Sequence, residues 1–317
     1  VRPGAARRGP APRALVTLTP VTSGILLVDK PQQITSHGVV ARVRRLAGTR
    51  KVGHAGTLDP MATGLLVIGV GASTRLLHHM VGLDKRYEAT IRLGATTVTD
   101  DAEGEIVETA DAAAVAAVSR AVIDSGIRAL TGDIEQVPSA VSAIKVDGRR
   151  AYDRVRAGEE VELASRAVTV HGFAVDDERR GDGWIDLAVT VDCSSGTYIR
   201  ALARDLGAAL GVGGHLTMLR RTRVGPFDVA DAVVLADDTD AASALLPPAE
   251  AASRVLPRVD VDAAQATDLG HGKRVALDPG SPGPFAAVDP AGRLVAIVER
   301  RGGTLAVVTG FPAEEAS

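Results

Sequence analysis

One aspartate stands where it could do chemistry: Asp59, inside Gly53-His54-Ala55-Gly56-Thr57-Leu58-Asp59-Pro60-Met61-Ala62-Thr63-Gly64. Glycine reaches backbone angles closed to other residues, and a residue followed by proline is pushed out of the helical region. The stretch therefore predicts a tight loop that presents one polar side chain and then enters a buried strand, Leu65 to Val70. Such a loop on a rigid scaffold is a frequent home of catalytic groups. Asp and Pro are equally the makings of an ordinary turn, and on these residues alone both readings stand.

A second pattern is tyrosine beside cations. Two of the three tyrosines sit in Lys85-Arg86-Tyr87 and Thr197-Tyr198-Ile199-Arg200. A ring next to phosphate-binding cations is what a base-stacking surface needs, each stack being worth ~1–3 kcal/mol. Tyr87 also fits as a plain core aromatic of a strand, and Tyr198 as a ring packed on a neighbouring sheet. Other chemistries lack their residues. There is no G-x-x-x-x-G-K-[ST] phosphate loop, and Gly211 to Gly214 do not follow a strand as a dinucleotide fingerprint would. The seven histidines form no H-x-x-x-H pair, and the adjacent His78 and His79 cannot share a helix face. The single cysteine, Cys193, excludes an internal disulfide framework and a multi-cysteine zinc site, and fits a reducing cytoplasm.

Elements must position these groups. Gly24 to Lys30 reads as a buried strand stopped by Pro31. Thr35-Ser36 caps a helix with Val39, Val40, Val43 and Leu46 on one face. Arg42, Arg44 and Arg45 fall on the other, followed by Arg50 and Lys51. Ser73 and Thr74 start a short helix. Lys85 to Leu93 alternates as a strand, with Tyr87, Ala89, Ile91 and Leu93 on one face. Asp111 opens one long helical stretch carrying Val115, Val118, Val122, Ile123, Ile127 and Leu130. A strand at Val141–Val146 turns at Asp147-Gly148 into a basic segment with Arg149, Arg150, Arg154 and Arg156. Strands follow at about 167–175 and 184–191, then an amphipathic helix from Thr197 to Leu210 ended by Gly211. Leu216 to Val224 is a further strand with Arg220, Arg221 and Arg223.

At 317 residues the chain is long enough for two domains. Residues 1–22, rich in Arg and Pro, read as a disordered basic extension; Val1 in place of Met fits a start further on, for instance at Val21. A catalytic domain is expected over 23–230, an acidic linker with short helices over 231–256, a small β-rich module over 257–312 and a tail at 313–317. The formal net charge of -3 gives no global sign of nucleic acid, although local basic patches matter more than the sum. No apolar run reaches the roughly 18 residues that span a membrane.

Gly24 to Pro31, Val52 to Gly64, Lys85-Arg86-Tyr87, Gln136 to Lys145, Cys193 to Arg200 and Leu219-Arg220-Arg221 together closely resemble the TruB family of tRNA pseudouridine synthases. The motifs occur in order between residues 24 and 227, and Gly-His-Ala-Gly-Thr-Leu-Asp-Pro is highly specific. The resemblance implies an α+β pseudouridine synthase fold with a largely antiparallel mixed sheet and a PUA-like C-terminal module. It implies a monomeric cytoplasmic enzyme whose partner is the T-arm of tRNA, converting uridine 55 to pseudouridine. In that reaction the N1–C1′ bond breaks, the uracil turns, and C5 bonds to C1′, with neither cofactor nor metal required.

By similarity Asp59 is the essential carboxylate, acting as nucleophile at C1′ or as base at the adjacent sugar carbon. Arg200 supplies a fork-like pairing that holds and aims it. The target base leaves its stack; Tyr87 then stacks on it, Tyr198 lies near it and serves the C5 proton, and Leu219 contacts it. His54 holds the flipped-out RNA or, alternatively, stabilises its own loop. Lys30, Pro31 and Lys145 are structural or RNA-facing, and the basic runs meet phosphates or are plain solvated faces. Two other readings stay open: a guide-RNA-dependent rRNA pseudouridine synthase, and a non-catalytic tRNA-folding chaperone. A glycoside hydrolase is disfavoured, since that chemistry usually needs two carboxyls at a set separation.

Overall fold

The computed structural model describes residues 23–139, 164–236 and 242–312, with the backbone of Lys145–Val146 and Arg149–Arg150. A nine-stranded sheet runs in the order Gly24–Lys30, Thr63–Val70, Gly214–Val224, Lys85–Leu93, Trp184–Cys193, Arg166–Gly181 and Gly132–Gln136. Val52–His54 adds to Thr63–Val70, and Phe227–Asp228 to Gly214–Val224. Every pairing is antiparallel except the short parallel contact Arg220↔Thr63 and Arg221↔Gly64. The sheet is mixed and largely antiparallel, as expected.

Burial follows from the residue pattern. Lys85–Leu93 buries Tyr87, Ala89, Ile91 and Leu93 on one face, while Thr63–Val70 is apolar after its first residue and covered on both. At the parallel contact the backbones come very close. Gly64 has φ +97°, and a Cβ there would lie 2.2 Å from the Arg221 carbonyl oxygen. Left-handed strain and overpacking each cost ~1–3 kcal/mol, so Gly64→Ala is expected to destabilise by about 2–5 kcal/mol. Chemical denaturation measures this; an unchanged midpoint would contradict the close approach.

Several elements differ from the sequence reading. Asp111 does cap a helix, but the stretch is two helices, Ala112–Ala117 and Arg120–Ala129. Ser119 breaks it, because its side chain accepts from Val122 N and starts the second helix afresh. Val115, Val118, Ile123 and Ile127 still face the sheet, whereas Val122 is exposed. The helix expected from Thr197 begins at Ile199, which leaves Tyr198 at the N-cap with extended backbone. Gly71–Leu76 is a 3-10 turn ahead of Leu77–Val81. Lys145–Val146 pairs with Arg149–Arg150, while the side chains of Lys145, Arg149, Arg150, Arg154 and Arg156 lie outside the described residues. So do the extension 1–22 and the tail 313–317.

Much of the acidic segment after Gly225 packs on the edge of Gly24–Lys30. Ile25 and Leu246 exchange backbone bonds of 3.0 and 2.8 Å, and Val233 bonds to Leu27 and Asp29 at 2.9 Å. An otherwise open sheet edge is thereby covered. The C-terminal module is a four-stranded sheet, Arg258–Asp260, Phe285–Val288, Leu294–Arg301 and Thr304–Gly310. Its Ala286, Val288, Ile297 and Phe311 share one apolar cluster with Ile25, Leu27, Leu65 and Val67.

Candidate active site

A cavity of about 320 Å³ opens where Gly56–Asp59 meets the sheet. Asp59, Tyr87, Tyr198, Arg200 and Leu219 all line it, joined by Lys85 and Arg221. A second hollow, of about 390 Å³, lies between Pro247–Arg254 and Arg258. Its Glu250 and Arg254 pair with each other at 2.7 Å, one helical turn apart, and no aromatic side chain lines it. The first is the candidate site.

The loop that carries Asp59 is tied down on both sides. The buried Lys30 ammonium donates to the carbonyls of Ile34 at 2.8 Å, Pro31 at 3.1 Å and Pro60 at 3.3 Å. Gln33 N donates to the same Pro60 oxygen at 2.9 Å. Ser36 Oγ accepts from Leu58 N at 2.8 Å and donates to Leu58 O at 3.0 Å. From the sheet side, the buried Arg221 guanidinium donates to Leu65 O at 2.8 Å, Gly56 O at 3.2 Å and Thr57 O at 3.4 Å. With the backbone fixed before and after it, the Asp59 side chain stays 37% exposed toward the cavity.

Arg200 is 4% exposed and reaches Asp59 from the Ile199–Ala209 helix. Its Nε lies 3.0 Å from Asp59 Oδ2 and 3.6 Å from Asp101 Oδ2, and Nη1 donates to Thr99 O at 2.8 Å. The guanidinium thus bridges two carboxylates instead of forking onto Asp59 alone. Asp101 is itself fixed: its Oδ1 accepts from Thr99 Oγ1 at 2.6 Å and from Glu103 N at 3.0 Å.

Tyr198 is placed by its backbone. Gln136, 2% exposed, donates Nε2 to Tyr198 O at 3.0 Å and accepts from Tyr198 N at 2.7 Å, as a neighbouring strand would. Removing one partner of a buried hydrogen bond costs ~1–3 kcal/mol. Gln136→Leu is therefore expected to lower stability by about that much and to slow any reaction that uses Tyr198 by about tenfold, as a small misplacement in an active site does. Single-turnover rates beside a denaturation curve test this; a variant with wild-type rate would show that Tyr198 needs no such support.

Against family models, residues 44–199 match "TruB family pseudouridylate synthase (N terminal domain)". Residues 200–254 match "tRNA pseudouridylate synthase B C-terminal domain", and 256–312 match "tRNA Pseudouridine synthase II, C terminal". A curated protein of Leifsonia xyli subsp. xyli, "tRNA pseudouridine synthase B", is 62% identical over 298 residues, covering 93% of this chain and 98% of its own. The chain belongs to the TruB family of pseudouridylate synthases. A second relative of the same name, from Thermobifida fusca, is 54% identical over 92% of this chain and 99% of its own. Among solved structures, a Cbf5-Nop10-Gar1 complex has a chain with TM-score 0.67 at 25% identity, matching 91% of this chain and 85% of that one. An H/ACA RNP bound to a substrate RNA containing 2'-deoxyuridine likewise gives 0.67 at 24%, over 92% and 86%, and shows the shared fold.

Within this TruB chain Asp59, Tyr87, Tyr198, Arg200 and Leu219 come together at the cavity, and His54 does not. Tyr87 is buried on the sheet between Lys85 and Ala89, belongs to the same apolar cluster as Leu58, Met61 and Ala62, and also walls the cavity. The reading of it as a core aromatic of a strand holds. Burial pushes its phenol up, while Arg221 works against the shift. His54 is elsewhere: it pairs with Ile68 on a strand and sets its ring edge-on to His37, centroids 5.5 Å apart, outside the residues that line the cavity. Burial, and then His37, push its imidazole down. Sequence reasoning missed Asp101, which sits in a Thr-Val-Thr-Asp-Asp run that looks like a polar turn. It also gave no role to Gln136, Lys85 or Arg221, although all lie inside quoted motifs.

Proposed function

We propose that this TruB chain isomerises uridine to pseudouridine in tRNA, at uridine 55 of the T-loop, with Asp59 as the essential group. The observation that carries the reading is the Arg200–Asp59 contact of 3.0 Å in the wall of a cavity that Tyr87, Tyr198 and Leu219 also line. A uracil needs flat apolar walls, and its detachment needs one aimed carboxylate at the sugar. The names of the relatives at 54–62% identity support tRNA as the substrate.

The steps follow from what lines the site. The uridine is flipped out of its stack, which costs a few kcal/mol, and the ring slides between Tyr87 and Leu219. Asp59 attacks C1′ or takes a proton from C2′, and the N1–C1′ bond breaks. Arg200, buried and braced by Asp101 and Thr99, keeps the carboxylate aimed throughout. The freed uracil turns in the cavity, C5 bonds to C1′, and Tyr198 at the rim serves the C5 proton. The protein works as a monomer in the cytoplasm on the T-arm itself. The name of the 62% relative, tRNA pseudouridine synthase B, supports a tRNA substrate over the guide-RNA-dependent rRNA reading.

Mapping pseudouridine in tRNA from cells with and without the gene tests the reading. Loss of the modification at position 55 is expected, restored by the purified protein on a T-arm minihelix. An unchanged position 55, with tight binding but no conversion in vitro, would leave the RNA-chaperone role instead.

A further inference from the structure

Around the Asp59 loop and its cavity, more buried positive charge gathers than nearby carboxylates pair with. Lys30 is 0% exposed, Arg221 1%, Arg200 4% and Lys85 5%. Asp59 and Asp101 both lie against Arg200. Among the described residues, Lys30, Lys85 and Arg221 have no carboxylate at ion-pair distance; their donors go to backbone carbonyls, with Tyr87 also bonded to Arg221. A buried cation without a counter-charge is costly. The arrangement becomes favourable when negative charge enters the cavity.

Two of these three cations line it, Lys85 and Arg221. Arg221 is committed to the carbonyls of Leu65, Gly56 and Thr57. Lys85 differs. Its Nζ donates to Val81 O at 2.9 Å and to Leu83 O, while an ammonium has three donors. It projects from the same strand face as Tyr87, two residues away, and so toward the same ring-shaped space. Burial, with Arg221 beside it, lowers Lys85 to about 8 against the pull of Cys193 and Asp84, so it remains a cation at neutral pH. Flat apolar walls suit a base better than a phosphate.

We propose that Lys85 is a further catalytic residue, whose ammonium neutralises the charge that uracil acquires on leaving the sugar. The inference rests on the pseudouridine reading above. When the N1–C1′ bond breaks, its electron pair stays on N1 and spreads to O2 and O4, making a uracil anion. Asp59 meanwhile bonds to C1′ or holds the C2′ proton. When C5 bonds to C1′ and Asp59 is released, C5 gives up its proton and N1 gains one, so the composition is unchanged and no co-reactant is needed. A fixed cation beside the leaving base is worth most while that anion exists.

Two substrates and two variants test this. Lys85→Gln keeps two N–H donors for Val81 and Leu83 but removes the charge; Lys85→Arg keeps the charge. T-arm minihelices carry uridine or 5-fluorouridine at the target, and loss of the N1-linked nucleoside is followed in single turnover. Fluorine stabilises the uracil anion by itself. Lys85→Gln is expected to slow uridine by about 10²–10³-fold and 5-fluorouridine by about tenfold less, with RNA affinity near wild type. Equal slowing on both substrates, or no slowing, overturns the proposal. Lys85→Arg is expected to keep the wild-type ratio of the two rates, and a ratio shifted in favour of 5-fluorouridine overturns the proposal as well, even where the Gln variant fails to fold. A wild-type protein that converts neither substrate sinks the pseudouridine reading itself, which keeps the two failures apart.

Discussion

Asp59→Asn is expected to abolish pseudouridine formation while leaving the protein folded and able to bind a T-arm minihelix. Asparagine is nearly isosteric, and its amide oxygen can still accept from Arg200 Nε, now 3.0 Å from Asp59 Oδ2. What it cannot do is attack C1′ or take the C2′ proton. Losing the group that performs a covalent or proton-transfer step typically costs ~10⁴–10⁶-fold in rate. The loop itself should not move, because Lys30, Gln33, Ser36 and Arg221 hold backbone atoms on either side of residue 59. Single-turnover assays over hours, paired with an RNA-binding titration, provide the check. Conversion within tenfold of wild type would remove Asp59 from the chemistry and end the proposed mechanism.

Arg200→Lys is the second large effect. Arginine here joins three groups at once, Asp59, Asp101 and the Thr99 carbonyl, through a planar fork. A lysine ammonium is a point charge on a flexible stem and cannot hold that spread of acceptors in fixed directions. Turnover should fall by about 10²–10³-fold, chiefly in kcat, with modest loss of RNA affinity. Arg200→Met should go further. Asp101 is 3% exposed and would be left without its cation, a loss of ~3–5 kcal/mol for a broken buried pair. Kinetics of the Lys variant beside denaturation of both variants separate aim from stability. Near-normal kcat in Arg200→Lys would mean that Asp59 needs a nearby positive charge but no bracing.

The parts of the fold that were plain in the sequence are those with a strong pattern. Gly24–Lys30 is continuously apolar up to its last two residues, and Lys85–Leu93 alternates without a break. Gly132–Gln136 was hidden because Gly-Asp-Ile-Glu-Gln is half polar, as suits an edge strand whose alternate side chains meet solvent. The break at Ser119 was hidden for a different reason. The apolar positions keep their helical spacing across it, and only a side chain bonding its own backbone ends one helix and starts the next. At the site, loop chemistry left Asp59 between a presented carboxylate and a plain turn, and the family motifs pointed to it together with Tyr87, Tyr198, Arg200 and Leu219. Lys85 and Asp101 were not legible, since a lysine or an aspartate in a sequence looks solvated until burial shows otherwise. His54 shows the opposite limit: a motif position says that a residue matters, but not which space its ring occupies.

The fastening of the Asp59 loop carries a consequence for the order in which the molecule matures. Its anchors come from both directions along the chain: Ser36 is 22 residues from Leu58, while Arg221 is 164 residues from Thr57 and 165 from Gly56. Contacts of such separation form late, after the intervening chain has lost its freedom. A chain emerging from the ribosome can fold Gly24–Lys30 against Thr63–Val70 early and already hold the aspartate, yet that aspartate has no fixed direction until Gly214–Val224 inserts beside Thr63–Val70. The fixed Asp59 loop is thus a late product of synthesis, and a nascent or truncated chain ending before Arg221 carries Asp59 without that anchor.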